Sequence, residues 1–151
     1  MAVVSHWKGK LTEHFSFEEY TVGLTYGTVY VTKEAYLHAL MMEEFREAIG
    51  RPIIVTSYYR TKAKNQQVGG VPNSSHLKGL ATDWHTDIPI TEALFIKWAK
   101  IWKKINKKHG VVGEAGLYSW GIHFGSQITY SKTFANWDSR SGKQKNNVFK
   151  I

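Results

Sequence analysis

Between Lys33 and Ile49 apolar residues return every three or four positions, at Leu37, Leu40, Met41, Phe45, Ala48 and Ile49. That spacing predicts a helix with one side against a core. Thr32 can cap its start, Gly50 can end it, and Pro52 prevents its return. A second helix follows Thr91. Leu94, Trp98, Ile101, Trp102 and Ile105 form its apolar side, lysines lie opposite, and Gly110 ends it. Strand character shows in four stretches. Residues 25–32, rich in β-branched and aromatic side chains, predict a strand or hairpin arm. Residues 52–60 predict a buried strand that runs out into a polar loop, TKAKNQQVGGVPNSS. Residues 80–87 predict a strand closed by Pro89, and 111–126 have strand composition broken by Gly113, Gly116, Gly121 and Gly125. HFSFEEY (14–20) reads as a short docking segment, and 127–151 carry no assignable pattern. Helices and strands mix without a βαβ rhythm, so the expected fold is α+β, with a small, mostly antiparallel sheet.

A chain of 151 residues suffices for one domain, 1–151, with a real core. Hydrophobic residues make up 42% of it and aromatics 14%, which argues against disorder. It contains no cysteine, so any metal must be held by His, Asp or Glu. No apolar run is long enough to span a bilayer, and the start, MAVVSHWKGKLTEHF, has no apolar signal core, so export by a signal peptide is not expected. The net charge of +8 suits an anionic partner: nucleic acid, membrane or cell wall. Lys97, Lys100, Lys103, Lys104, Lys107 and Lys108 share one segment, whose plainer reading is the solvated face of a helix.

The stretch NSSHLKGLATDW (73–84) carries the most chemistry. In a strand over 80–87, Ala81, Asp83 and His85 share one face and Leu80, Thr82 and Trp84 the other. Ala81 leaves space beside Asp83, and Gly79 permits a tight turn that could fold His76 back over it. Imidazole and carboxylate can then meet at zinc, which takes three protein ligands in catalytic sites. His123 is the third candidate. In a strand over 117–123 it shares a face with Leu117, Ser119 and Gly121, with Gly121 leaving room for a substrate, while Tyr118, Trp120 and Ile122 point into the core. Each residue also has a plainer reading. His76 alone is a loop histidine, Asp83 a hydrogen-bonding turn residue, and Trp84, Trp98, Trp102 and Trp120 core. His85 and Asp87 either orient a ligand or are polar strand-end residues. His6, His14, His38 and His109 show no partner pattern.

Ser74-x-His76-x-x-Gly79-x-Ala81-x-Asp83 matches all five fixed positions of a signature shared by zinc D-Ala-D-Ala carboxypeptidases and L-alanyl-D-glutamate endopeptidases of bacteria and phages. The chain resembles that family over roughly 14–125. Ser57-Tyr58-Tyr59-Arg60, the loop NQQVGGVPNSS, the HFSFEEY start and the apolar stretch ending in His123 are similar to family segments as well. The resemblance implies the small α+β fold common to D-Ala-D-Ala peptidases and the hedgehog domain. It implies a zinc cofactor on His76, Asp83 and His123, Arg60 at a substrate carboxylate or at the oxygen that gains charge, and Ser74 in support. Family members place an acid or histidine a few positions before the third ligand. Here Ser119, Trp120, Gly121 and Ile122 stand there. Glu114, nine positions upstream, could reach the site if Gly113 and Gly116 bend the chain, or lie on the surface. His85 is the other candidate base.

The expected activity is zinc-dependent hydrolysis of peptide bonds in the peptidoglycan stem peptide, at its end or within it. By analogy the protein is a phage lytic enzyme, made in the host cytoplasm and acting on the wall, or carried in a virion with virion partners. Two rivals stand against it. A non-catalytic virion or wall-binding protein could keep the fold, and a nucleic-acid-binding module could use the Lys97–Lys108 face, although no nucleic-acid motif supports it.

Overall fold

The hydrogen-bonded pairs of a computed structural model, which describes residues 2–4, 7–25, 27–127 and 133–151, define two sheets. In chain order the elements are β1 (Ala2–Val4), α1 (Phe17–Tyr20), β2 (Val29–Val31), α2 (Lys33–Ile49), β3 (Ile54–Ser57) and α3 (Lys62–Gln67). After a single 3-10 turn (Ser75–Lys78) come β4 (Ala81–His85), α4 (Glu92–Lys108), β5 (Val112–Tyr118), β6 (Gly121–Gln127), β7 (Ala135–Asp138) and β8 (Lys145–Asn146). β1 and β2 form a small ribbon. The other six strands make one sheet in the order β3-β4-β6-β5-β7-β8, antiparallel except for the β5–β7 pair. The α+β expectation holds. His6, Tyr26 and residues 128–132, which fall within the expectations above, lie outside the described residues.

Strand alternation divides this sheet into two faces with different work. Thr82 and Trp84 of β4, Ala115 and Leu117 of β5, and Ile122, Phe124 and Ser126 of β6 turn toward α2 and α4. Asp83, Glu114, Gly116 and His123 turn the other way. On the helix side, Phe45 packs edge-on to Phe124, and Trp102 stacks on Phe124 with centroids 4.8 Å apart and planes 2° from parallel. Such stacks add about 0.5–1.5 kcal/mol beyond the area they bury. α2 begins and ends where expected. The Thr32 hydroxyl accepts the Ala35 amide at 3.0 Å, and Gly50 adopts φ +63°. Leu40, expected on the apolar side, is 39% exposed, and Met42 takes a buried position instead. α4 likewise starts at its Thr91 cap and buries Phe95, Trp98 and Trp102.

Four expectations need correction. The strand predicted over 52–60 is confined to β3. It is an edge strand paired only with β4 and is not buried: Ile54 is 42% exposed. The polar stretch after it is not all loop, because the Thr61 hydroxyl caps α3 by accepting from the Lys64 amide. Residues 117–123 are not one strand. The chain reverses at Ser119–Trp120, so β5 and β6 form a hairpin with Gly116 opposite His123. The unassigned tail completes the sheet through β7 and β8. Asn136 holds its end: the side-chain amide donates to the Phe149 carbonyl (3.1 Å) and accepts the Phe149 amide (3.0 Å), and Phe149 enters the core.

Candidate metal centre

His76, Asp83 and His123 converge at the floor of a cleft of about 680 Å³. The 3-10 turn presents His76. Its first backbone amides are served by Ser74, whose hydroxyl accepts the His76 N–H at 3.3 Å. Its end is Gly79, at φ +69°. Any β-carbon there would collide with the Tyr20 hydroxyl, so the position demands glycine for conformation and for space. β4 presents Asp83, and β6 presents His123 directly across from it in register. Asp83 Oδ1 lies 2.8 Å from His123 Nδ1, and Oδ2 lies 3.1 Å from His76 Nε2. One donor atom from each residue lies within 4.8 Å of the others.

Glu114 joins this group, buried and not on the surface. The hairpin brings it there, not a bend at Gly113 or Gly116. Two residues before Gly116 on β5, it stands on the same face as His123, with Oε2 3.7 Å from His123 Nε2. Its partner across the ladder is Gly125, where a β-carbon would come within 2.5 Å of Glu114 Oε1. The absent side chain at 125 is the space that the carboxylate fills. Ser75 donates to Oε1 at 3.2 Å.

Arg60 enters from the end of β3. Its guanidinium donates to Asp83 Oδ2 (3.3 Å), Asn65 Oδ1 (3.3 Å) and Ser57 Oγ (3.1 Å). His85 stands apart: it pairs across from Ile54 at the end of β4, donates from Nδ1 to the Thr86 carbonyl, and does not line the cleft. Asp87 is farther out, in a surface ion pair with Arg51. Gly121 does not open room for a substrate. A β-carbon there would strike the Trp84 carbonyl, so its role is close approach to β4. Trp120 is 46% exposed at the hairpin tip and lines the cleft, and Tyr118 lines it too. Neither points into the core as expected.

The charges explain why a cation fits. Burial, the largest influence on His76, lowers its pKa despite Asp83 beside it. The ring is therefore neutral at pH 7. Its Nδ1–H is committed to the Tyr58 carbonyl at 2.6 Å, which leaves the Nε2 lone pair toward Asp83. Burial alone would raise the pKa of Asp83, yet both histidines hold it well below the usual carboxylate range. A lone pair and a carboxylate oxygen thus face each other at 3.1 Å. The Arg60 guanidinium on the same oxygen offsets part of their repulsion, and a cation held between the two would offset more. Around His123, burial disfavours the imidazolium, but the hydrogen bond to Asp83 and the nearby Glu114 carboxylate outweigh it and raise the pKa to about 10. Two imidazoles and a carboxylate, without thiolates, are a donor set suited to zinc.

Comparison with known families agrees with this donor set. The sequence profile of the Peptidase M15 family matches residues 13–124, well over half of the chain. The chain belongs to the peptidase M15 family. No curated protein matches it. Membership makes it a metallopeptidase by family, and the His-Asp-His group is compatible with the zinc on which M15 peptidases depend. The matched stretch spans all three donors, Arg60, Ser74 and Glu114. It stops before β7, so the M15 segment alone lacks the wall that Trp137 adds beside His123, with ring centroids 5.3 Å apart.

Sequence reasoning passed over Ser75, Tyr58 and His38. Ser75 was indistinguishable from its small neighbours, and Tyr58 acts through its backbone carbonyl, which no side-chain pattern reveals. His38 shows no partner pattern in the sequence. It is fully buried on α2 and bridges Thr82 (2.9 Å) and Ser126 (2.6 Å) on the helix side of the sheet. The signal for Glu114 was present: two strand-like halves, each studded with glycine, on either side of Ser119–Trp120.

Proposed function

We propose that this chain is a zinc-dependent peptidase that hydrolyses peptide bonds in the stem peptide of peptidoglycan. The observation that carries the reading is a division of labour at one cleft floor. Three donors stand together, and a second acidic group, Glu114, is held beside them by Ser75. Family membership supports the substrate class.

His76, Asp83 and His123 would hold the zinc, which when bound polarises a carbonyl and lowers the pKa of water. Glu114 takes the proton of the attacking water and returns it to the leaving amine. Ser75 fixes one carboxylate oxygen and leaves the other toward His123 and the cleft. Arg60 orients Asp83, and its planar fork suits a substrate carboxylate or the oxygen that gains charge during attack. Ser74 supports the site by capping the turn that carries His76. We extend the reading to a phage lytic enzyme, delivered to the wall by a release partner or in a virion. The lysines of α4 would favour an anionic wall at low salt.

Mass spectrometry of muropeptides after incubation with zinc-loaded protein tests this reading. The expected result is a mass loss that identifies one stem-peptide bond. Stoichiometric zinc with every muropeptide intact would overturn it in favour of a non-catalytic wall-binding protein.

A further inference from the structure

At the mouth of the same cleft, Tyr118 and Trp120 stack with centroids 4.6 Å apart and planes 14° from parallel. The pair is braced from behind. Trp137 Nε1 donates to the Tyr118 hydroxyl at 3.0 Å. Trp137 can lie there because Gly116 has no β-carbon, which would overlap its indole. Trp120 nevertheless stays 46% exposed. The result is an aromatic ledge fixed in place before any ligand arrives.

The charge distribution says what the ledge would take. The protein carries +8. Among the described residues lining the cleft, however, charged side chains are confined to the floor, at Arg60, Asp83, Glu114 and His123. Asn146 lies across from Trp137 behind the ledge, and the lining adds further amides at Asn73, Gln144 and Asn147. Among the described lining residues, none beside the ledge offers a carboxylate-bearing segment a cation. The matching ligand is neutral, with one flat apolar face and a rim of hydrogen-bonding groups. A pyranose has that shape. Its C–H face suits the electron-rich ring face, and its hydroxyl and acetamido groups suit side chains that both donate and accept.

We infer that the Tyr118–Trp120 ledge is a carbohydrate subsite that takes an N-acetylated pyranose of the glycan while the peptide lies over the floor. The choice of polymer rests on the peptidase reading. The test is a ¹H–¹⁵N titration of the full chain with N-acetylglucosamine oligomers, with calorimetry on variants. The Trp120 indole N–H should shift saturably. Trp120→Ala should weaken binding about three- to tenfold, while Trp120→Phe, which keeps a ring, should lose less, both variants melting cooperatively. Shifts that do not saturate, that gather instead on Val68–Val71, or that persist unchanged in Trp120→Ala would overturn the subsite. Hydrolysis of a sugar-free stem peptide by the unmutated protein reports on the peptidase reading separately. Cleavage without sugar binding removes the ledge alone, and sugar binding without cleavage of any muropeptide removes the peptidase alone.

Discussion

Glu114 Oε2 stands 3.7 Å from His123 Nε2, across a hairpin whose turn separates the two residues in sequence. The carboxylate is therefore placed by sheet register and not by proximity along the chain. It borders the donor set without being one of the three donors. Glu114→Gln keeps the shape and removes the basic oxygen. Turnover of a stem peptide should fall roughly 10²–10⁴-fold, while zinc affinity stays within a few fold. Steady-state kinetics beside a zinc titration check this. Equal losses in both would make Glu114 a ligand instead of a base.

Gly125 gives a second route to the same group. A β-carbon at this position would sit 2.5 Å from Glu114 Oε1 and 2.6 Å from its Cγ, so the carboxylate arm must move. Gly125→Ala should cut turnover by about tenfold or more, since displacements near 1 Å at a reacting group are costly. Zinc should still bind, because His76, Asp83 and His123 are untouched. The pairing of kinetics with metal content distinguishes this from simple unfolding.

These two residues also mark where sequence reasoning reached its limit. The His76–Asp83 pair was legible because both lie within one short stretch whose glycine and alanine have an evident spatial purpose. α2 and α4 were legible because each has a threonine cap and a helical period. Glu114 was legible as a candidate base, but not the hairpin that brings it to the site, because glycines interrupt both arms and local pattern does not specify the strand register. A single strand over 117–123 would turn Trp120 inward. The reversal at Ser119–Trp120 turns it out. The tail was illegible because β7 joins by parallel pairing to β5, a contact between distant segments with no turn to announce it.

Metal binding should release a proton. In the metal-free site His76 is neutral, Asp83 is ionised, and His123 is held as imidazolium up to about pH 10 by Asp83 and Glu114 against the opposing effect of burial. Zinc and that proton compete for the same ring. At pH 7.5 calorimetry in buffers of different ionisation enthalpy should report about one proton released per zinc. The sign for stability follows from the same groups. His123 is raised above its ordinary 6.5, so its contribution to the metal-free fold is full below that pH and drains away as pH climbs toward about 10. Asp83 is depressed below its ordinary 3.8, so its contribution is present above that pH and lost in stronger acid. Thermal melts in a chelator should decline from pH 6.5 to 10, and zinc should flatten that decline. A flat metal-free profile over this range would contradict the assignment of charge to His123.

His38 anchors the floor of the site from the opposite face of the sheet. Burial, with His123 and His76 adding to it, pushes its pKa down to about 3, so it bridges Thr82 and Ser126 as a neutral ring, one nitrogen donating and one accepting. Thr82 adjoins Asp83 on β4, and Ser126 lies on β6 with His123, so this one ring ties together the two strands that carry donors. Its edge also meets Tyr58, whose carbonyl holds His76. His38→Ala leaves two buried hydroxyls without this partner and opens a cavity, which should cost about 2–4 kcal/mol. His38→Phe fills the volume but restores neither hydrogen bond. If the ring acts only as packing, Phe should recover most of the stability and the zinc affinity. If the hydrogen bonds hold β4 to β6 in register, as the geometry indicates, both variants should bind zinc more weakly than the parent, and chemical denaturation with a parallel zinc titration would separate the two outcomes.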